Sequence, residues 1–193
     1  MKSIVVFCGS SAGELPVYME QAKLLGAALA QRQLTLVYGG ARVGLMGAVA
    51  DGALQAGGKV IGVLPHFLQQ KELAHKGLTE LILVDTMHER KTKMNELSDG
   101  VITLPGGFGT MEELFEMLTW GQLGLHQKPI GLLNVNGFYD NLIALSATMT
   151  QNGFLSAANS NRLLHSDNME QLLQQMEQYQ PILDTKWISK SQS

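Results

Sequence analysis

Two clusters in this 193-residue chain carry side chains able to do chemistry. One is Glu112-Glu113, directly behind Pro105-Gly106-Gly107-Phe108-Gly109-Thr110-Met111, and the other is His88-Glu89-Arg90-Lys91. Val101–Leu104 reads as a short buried strand, Pro105 stops it, and Thr110 opens an apolar-periodic helix. A strand, a glycine loop and a helix start together present bare backbone N–H groups and the positive end of a helix dipole. Gly106, Gly107 and Gly109 lack Cβ, which lets the backbone take positive φ and approach a ligand closely. Phosphate is the natural guest of such a loop, and both carboxylates are expected to face the same site.

Each cluster also has a plainer reading. Thr110-x-x-Glu113 fits a capping box, which would satisfy helix-end N–H groups. Arg90 and Lys91 fit solvated helix charges, with Glu89 and Lys93 as an i,i+4 surface pair. The readings differ in magnitude. Losing a cap costs about 1 kcal/mol of stability, whereas losing a catalytic acid or base costs roughly 100- to 10,000-fold in rate. Glu72 lies in a polar connection with Lys71 and His75 and reads as exposed unless it meets a ligand. Cys8 reads as a core filler, and Met87, Met94, Met111 and Met117 read as core or interface packing. The five histidines lack metal-ligand spacing.

The elements that must position these residues alternate. Strands are expected at Ser3–Cys8, Thr35–Tyr38, Lys59–Leu64 (stopped by Pro65), Glu80–Val84, Val101–Leu104, Ile130–Leu133 and Leu163–Leu164. Helices are expected at Pro16–Gln31, Gly44–Ala56, Met87–Ser98, Thr110–Leu123, Tyr139–Gln151 and Met169–Tyr179. That alternation predicts an α/β fold, Rossmann-like and doubly wound, with a mainly parallel sheet and helices on both faces. Residues 1–180 are expected to form one domain and 181–193 a loose tail. Glycine-rich loops follow Cys8, Tyr38 and Leu104, and three at one sheet edge suggest a nucleotide-sized pocket. No glycine loop continues into Gly-Lys-Ser/Thr, which excludes a Walker A loop, and the dinucleotide fingerprint is also unmatched.

The composition is 45% hydrophobic and 16% charged, so the chain is globular rather than disordered. A net charge of −3 without a basic run speaks against a nucleic-acid partner. The first apolar run is too short for a signal peptide or membrane span, which speaks against a membrane partner. The single cysteine points to a reducing, cytoplasmic setting.

Pro105-Gly106-Gly107-Phe108-Gly109-Thr110-Met111-Glu112-Glu113 resembles the P-G-G-x-G-T-x-x-E signature of the LOG ("Lonely Guy") proteins. These are cytokinin riboside 5′-monophosphate phosphoribohydrolases, once labelled lysine decarboxylases. Met87-His88-Glu89-Arg90-Lys91 resembles the second family motif, and similarity runs from about Ile4 to Phe154. The resemblance implies a homodimer that hydrolyses the N-glycosidic bond of adenine-type nucleoside 5′-monophosphates to free base and ribose 5-phosphate. It implies no cofactor and no metal. Arg90 and Glu113 match the family's catalytic pair, and Glu72, Lys91, the loop Gly107–Thr110 and Thr119 match substrate-contacting positions. Gly106, Met111 and Glu112 around that loop, Gly9 and Ser10 after the first strand, Gly40 after the second, and Met87 complete the candidate substrate-binding set. The dimer surface is expected on the Met-rich helices near Met87–Met94 and Met111–Leu118.

Two alternatives differ in class. A non-catalytic nucleotide-binding module would bind nucleotide without releasing base. A decarboxylase would require pyridoxal phosphate held by a lysine Schiff base, and no lysine sits in such a context.

Overall fold

The computed structural model describes residues 1–69 and 73–182. Strands and helices alternate as β1 (Ser3–Phe7), α1 (Pro16–Gln31), β2 (Thr35–Tyr38), α2 (Gly44–Gln55), β3 (Val60–Pro65), α3 (His66–Gln69), β4 (Glu80–Val84), α4 (Met87–Glu96), β5 (Gly100–Thr103), α5 (Phe108–Gln122), β6 (Ile130–Leu133), a 3₁₀ turn at Val135–Gly137, α6 (Asp140–Gln151), α7 (Ala157–Ser160), β7 (Leu163–Ser166) and α8 (Met169–Gln178). The strands form one sheet in the order β4-β3-β2-β1-β5-β6-β7, and every pairing is parallel. The doubly wound expectation is borne out. Pro65 does not stop β3 but ends it, pairing with Val84, because its missing N–H falls at a strand terminus. The short helices α3 and α7 carry no sequence period of their own and were not anticipated.

Because successive strand residues point to opposite faces, β1 feeds two cores. Ile4, Val6 and Cys8 join Leu25 and Leu29 of α1, Val49 and Ala50 of α2, and Leu172 and Met176 of α8. Val5 and Phe7 join Met94 of α4 and Leu114 and Met117 of α5 on the other side. Helices α1 and α2 meet with no space for side chains at their crossing. A Cβ on Gly26 would lie 2.0 Å from the Val49 carbonyl oxygen, and one on Gly52 would lie 2.0 Å from that of Lys23.

The chain order reverses between β1 and β5, with β2 on one side of β1 and β5 on the other. Ligands of open α/β sheets bind beyond the carboxyl ends of strands at such a point. The loops after β1 and β5, which carry Gly9-Ser10 and Gly106-Gly107, therefore meet there.

Candidate active site

Helix α5 begins at Phe108, two residues before the expected Thr110. Its N-cap is Gly107, in extended conformation (φ −93°, ψ −156°), with no side chain capping the helix. Thr110 is the third helical residue and Glu113 the sixth. A capping box needs its hydroxyl at the N-cap, so the capping reading of Glu113 is overturned. Thr110 instead is buried against Gly106, where an added Cβ would lie 2.1 Å from the Thr110 Oγ1 and 2.9 Å from the Gly9 backbone nitrogen. The expected positive φ is absent from Gly106, Gly107 and Gly109 and falls instead on Gly40 and Gly44. Close packing explains Gly106, whereas a Cβ on Gly107 or Gly109 would meet nothing within 4 Å. Among the described residues, no backbone N–H from Gly106 to Thr110 has a protein acceptor. The first bond into the helix runs from the Met111 N–H to the Gly107 carbonyl (3.1 Å).

The loop after β1 closes over this turn. The Gly9 N–H donates to the Pro105 carbonyl (3.0 Å), and the Gly9 carbonyl accepts from Leu45 N–H (3.1 Å). Together the two loops line a cleft of about 330 Å³, walled by Tyr18, Leu45 and Phe138. That volume lies at the lower end of the range for small-molecule pockets.

Arg90 approaches the same strand ends from α4. It is only 8% exposed, which overturns its reading as a solvated charge. Its Nε donates to the Val63 carbonyl (3.1 Å) and its Nη2 to the Gly39 carbonyl (2.9 Å). The third nitrogen, Nη1, has only the Met87 sulfur, at 3.9 Å. Gly39 is glycine for this arginine, since its Cβ would sit 2.0 Å from Nη2. Burial lowers the Arg90 pKa, while the charge of Glu113 works against that fall.

Glu113 is half-buried. Loss of solvent raises its carboxyl to about 7. The charges of Arg90 and Lys91 pull it back down, and Glu112 and Glu116 push it up. A carboxyl poised near neutrality suits proton transfer at ordinary pH. Cys8 lies in the field of both Glu113 and Arg90. It is 6% exposed, and burial raises its thiol well above the usual range, so it is a core filler as expected. No ion pair joins Arg90 to Glu113 among the described residues, which leaves both groups for a ligand.

Neither Glu112 nor Glu113 lines the cleft, and Glu112 turns away from Glu113. It is exposed and turns to Lys91, whose Nζ donates to Glu112 Oε1 (2.6 Å) and to Glu116 Oε1 (2.9 Å). Burial works to lower the Lys91 pKa, but these two carboxylates outweigh it and leave the pKa raised. Lys91 thus bridges α4 and α5 rather than standing in solvent. The expected Glu89–Lys93 pair is also absent. Glu89 accepts from Asp85 N–H (2.9 Å), and Lys93 pairs with Glu96 (3.5 Å).

The other candidates divide. Gly9, Ser10, Gly106 and Gly107 line the cleft. Phe108, 97% exposed, stands beside it at the head of α5, and Met87 touches Arg90. Met111 is half-buried and packs on the core of the α4–α5 face. Gly40 is buried against Leu64 and Leu81, and its carbonyl accepts from His75 N–H (3.0 Å), so it shapes a turn beneath the site. Thr119 lies eleven residues beyond Phe108, about 16 Å along the helix at 1.5 Å per residue. Its hydroxyl donates to the Phe115 carbonyl (2.7 Å), and it lines a separate apolar cavity with Leu118, Leu142 and Met149. Lys71 and Glu72 lie outside the described residues, as does the tail from residue 183.

Two residues that hold this arrangement, Gly39 against Arg90 and Glu116 against Lys91, are not singled out by the sequence reading. Gly39 was legible only as the first of two glycines ending a strand. Glu116 had a signal in its spacing, four residues after Glu112 and so on the same helix face. Among the described residues, no cluster of His, Cys, Asp and Glu is arranged to hold a metal ion, and no helix is long and apolar enough to cross a membrane.

Residues 46–176 match the family model described as "Possible lysine decarboxylase". The cytokinin riboside 5′-monophosphate phosphoribohydrolase of Rhodococcoides fascians is 49% identical over 170 residues, covering 88% of this chain and 86% of that protein. The cytokinin riboside 5′-monophosphate phosphoribohydrolase LOG7 of Arabidopsis thaliana is 44% identical over 183 residues, covering 95% of this chain and 84% of that protein. Among solved structures, the molybdenum cofactor binding protein from Rippkaea orientalis has a TM-score of 0.70 at 23% identity, covering 92% of this chain and 97% of that one. At that identity the likeness speaks for the fold alone.

Proposed function

Because the chain belongs to the LOG family of cytokinin riboside 5′-monophosphate phosphoribohydrolases, we infer that it hydrolyses the N-glycosidic bond of adenine-type nucleoside 5′-monophosphates. Water adds to the ribose C1′, the bond to the base breaks, and the base leaves with a proton as ribose 5-phosphate forms. The observation that carries this reading to particular residues is Glu113. It is not a cap, it is raised to about 7 by burial, and it follows an N–H cradle without acceptors among the described residues.

In its ionised form Glu113 stabilises the oxocarbenium-like ribose and orients the attacking water. The N–H groups of Gly106 to Thr110, at the positive end of the α5 dipole, hold the 5′-phosphate. Arg90, fixed through two of its nitrogens, offers Nη1 to the phosphate or to a ribose hydroxyl. A decarboxylase reading finds no support at Lys91, the lysine nearest the site. Two carboxylates hold it charged, whereas a Schiff-base lysine must be neutral to attack.

Residues 1–180 act as one domain, and the buried, unpaired Cys8 suits the cytoplasm. A homodimer also fits. Met94 and Met117 are spent in the protein's own core, contrary to the expected interface, but Phe108, Phe115 and Met87 remain exposed. Thr119, too far along α5 to meet the cleft of its own chain, would serve a site in the partner.

The test is incubation of purified protein with AMP and, separately, with isopentenyladenosine monophosphate, following release of base by chromatography beside Glu113→Ala. Base release is expected from the wild type, with a 100- to 10,000-fold loss in the variant. Nucleotide binding without release would favour the binding module instead.

A further inference from the structure

The catalytic pair has a neighbour pair one residue away on each helix. Arg90 and Lys91 are consecutive on α4, and Glu112 and Glu113 are consecutive on α5. Lys91 is the hydrogen-bonded side-chain link between the two helices among the described residues, reaching Glu112 at 2.6 Å and Glu116 at 2.9 Å. The two partners are not equivalent. The Glu112 side chain is 56% exposed and that of Glu116 is 23%, against 10% for Lys91. Screening by water weakens the exposed pair, so the sheltered Glu116 is the stronger holder of the ammonium. Four residues apart on one helix face, the two carboxylates repel each other, and only a cation between them makes the spacing favourable.

We propose that Glu116 is a positioning residue: by holding Lys91 at the seam between α4 and α5, it sets Arg90 opposite Glu113. On its far side Arg90 donates to the Gly39 and Val63 carbonyls, bonds that last only while α4 keeps its place. Its place relative to α5 depends on what ties α4 to that helix, and the Lys91 clamp does so one residue from the guanidinium. The catalytic meaning of this role rests on the N-glycosidase reading, but the positioning itself does not.

The test compares wild type, Glu116→Gln, Glu116→Asp, Lys91→Met and Lys91→Met/Glu116→Gln in base release from AMP. It also follows the Arg90 Nε–H signal by ¹⁵N NMR. Gln preserves shape and keeps the variant folded while removing the charge. The expected result is a kcat about tenfold lower in Glu116→Gln with KM within twofold, and partial rescue by Asp. In the Lys91→Met background, Glu116→Gln adds no further loss, the mark of two residues acting as one unit. The Arg90 Nε–H is expected to lose its protection from exchange in Glu116→Gln while the rest of the spectrum is kept. Unchanged kcat and Nε–H protection, or equal losses in both backgrounds, would overturn the proposal. If the wild type itself releases no base, the N-glycosidase reading fails, and the Nε–H signal alone decides whether Glu116 positions Arg90.

Discussion

The two helices that bring the charged residues together begin in opposite ways. Helix α4 is capped by Thr86, whose Oγ1 accepts from Glu89 N–H (3.1 Å), while the Glu89 carboxylate accepts from the N–H of Asp85 just outside the helix (2.9 Å). Helix α5 begins at a glycine with no side-chain cap. The contrast extends along the chain. Helices α7 and α8 are capped by Ser156 and Asn168, whereas α1, α2 and α5, which follow the glycine-rich loops, have no side-chain cap, and neither does α6. A cap satisfies the same N–H groups that an anion would need. Stability alone would have capped α5. Its open end is what a phosphate site requires.

The acid in each helix sharpens the contrast most. Glu89 stabilises α4, while Glu113 is held in α5 at a cost. Its folded pKa of about 7 lies above the ordinary 4.5, so its contribution to stability is fully present below pH 4.5 and is lost as pH rises through 7. Relative to wild type, Glu113→Gln is expected to show no difference below pH 4.5 and to be more stable above pH 7. The gain is roughly 3 kcal/mol at 1.4 kcal/mol per pKa unit, measured by denaturant titration across that range. A flat difference across pH would break the comparison. The same titration should appear in wild-type kcat/KM as a rising limb with its midpoint near pH 7, levelling off above it, as the proposed role of the ionised form requires.

Next in size is capping α5 by design. Gly107→Asp has room for its side chain and supplies the missing cap, so stability should hold or rise by a few tenths of a kcal/mol. Its carboxylate would stand where the phosphate is proposed to bind. Like charges so placed cost several kcal/mol, and KM for AMP should rise about 100-fold. An unchanged KM would remove the phosphate from the head of α5. The smallest effect belongs to α4: Thr86→Ala should cost about 1 kcal/mol in thermal or denaturant unfolding and leave base release within about threefold.

Much of this was legible in the sequence, for particular reasons. Helix α1 and strands β2, β4 and β6 fall where they were expected, because apolar runs bounded by Gly, Pro and polar residues set their limits. The head of α5 was misread. Thr110-x-x-Glu113 has the letters of a capping box, and nothing local distinguishes it from Thr86-x-x-Glu89, where the threonine does cap its helix. What decides is the packing of Thr110 on Gly106, itself set against Gly9, an arrangement made only when β1 and β5 lie side by side. The burial of Arg90 is likewise a tertiary fact, since its carbonyl partners lie 27 and 51 residues away. Lys91 and Glu116, 25 residues apart, share no local pattern.

The strand order has a consequence for when the site comes into being. The carbonyls that accept from Arg90 belong to the chain before β5, those of Gly39 and Val63, while Glu116, the proposed positioning residue, comes after it. Glu113 and the N–H cradle follow β5, whose pairing partner β1 was made roughly a hundred residues earlier, with Val5 beside Val101. Closing so long a loop is entropically expensive, and contacts of that separation come late and slowly in folding. As the chain leaves the ribosome or refolds from denaturant, one half can assemble while both the carboxylate and the clamp on α4 are still absent. Activity should therefore return only in the final kinetic phase, after most of the helical signal has already recovered.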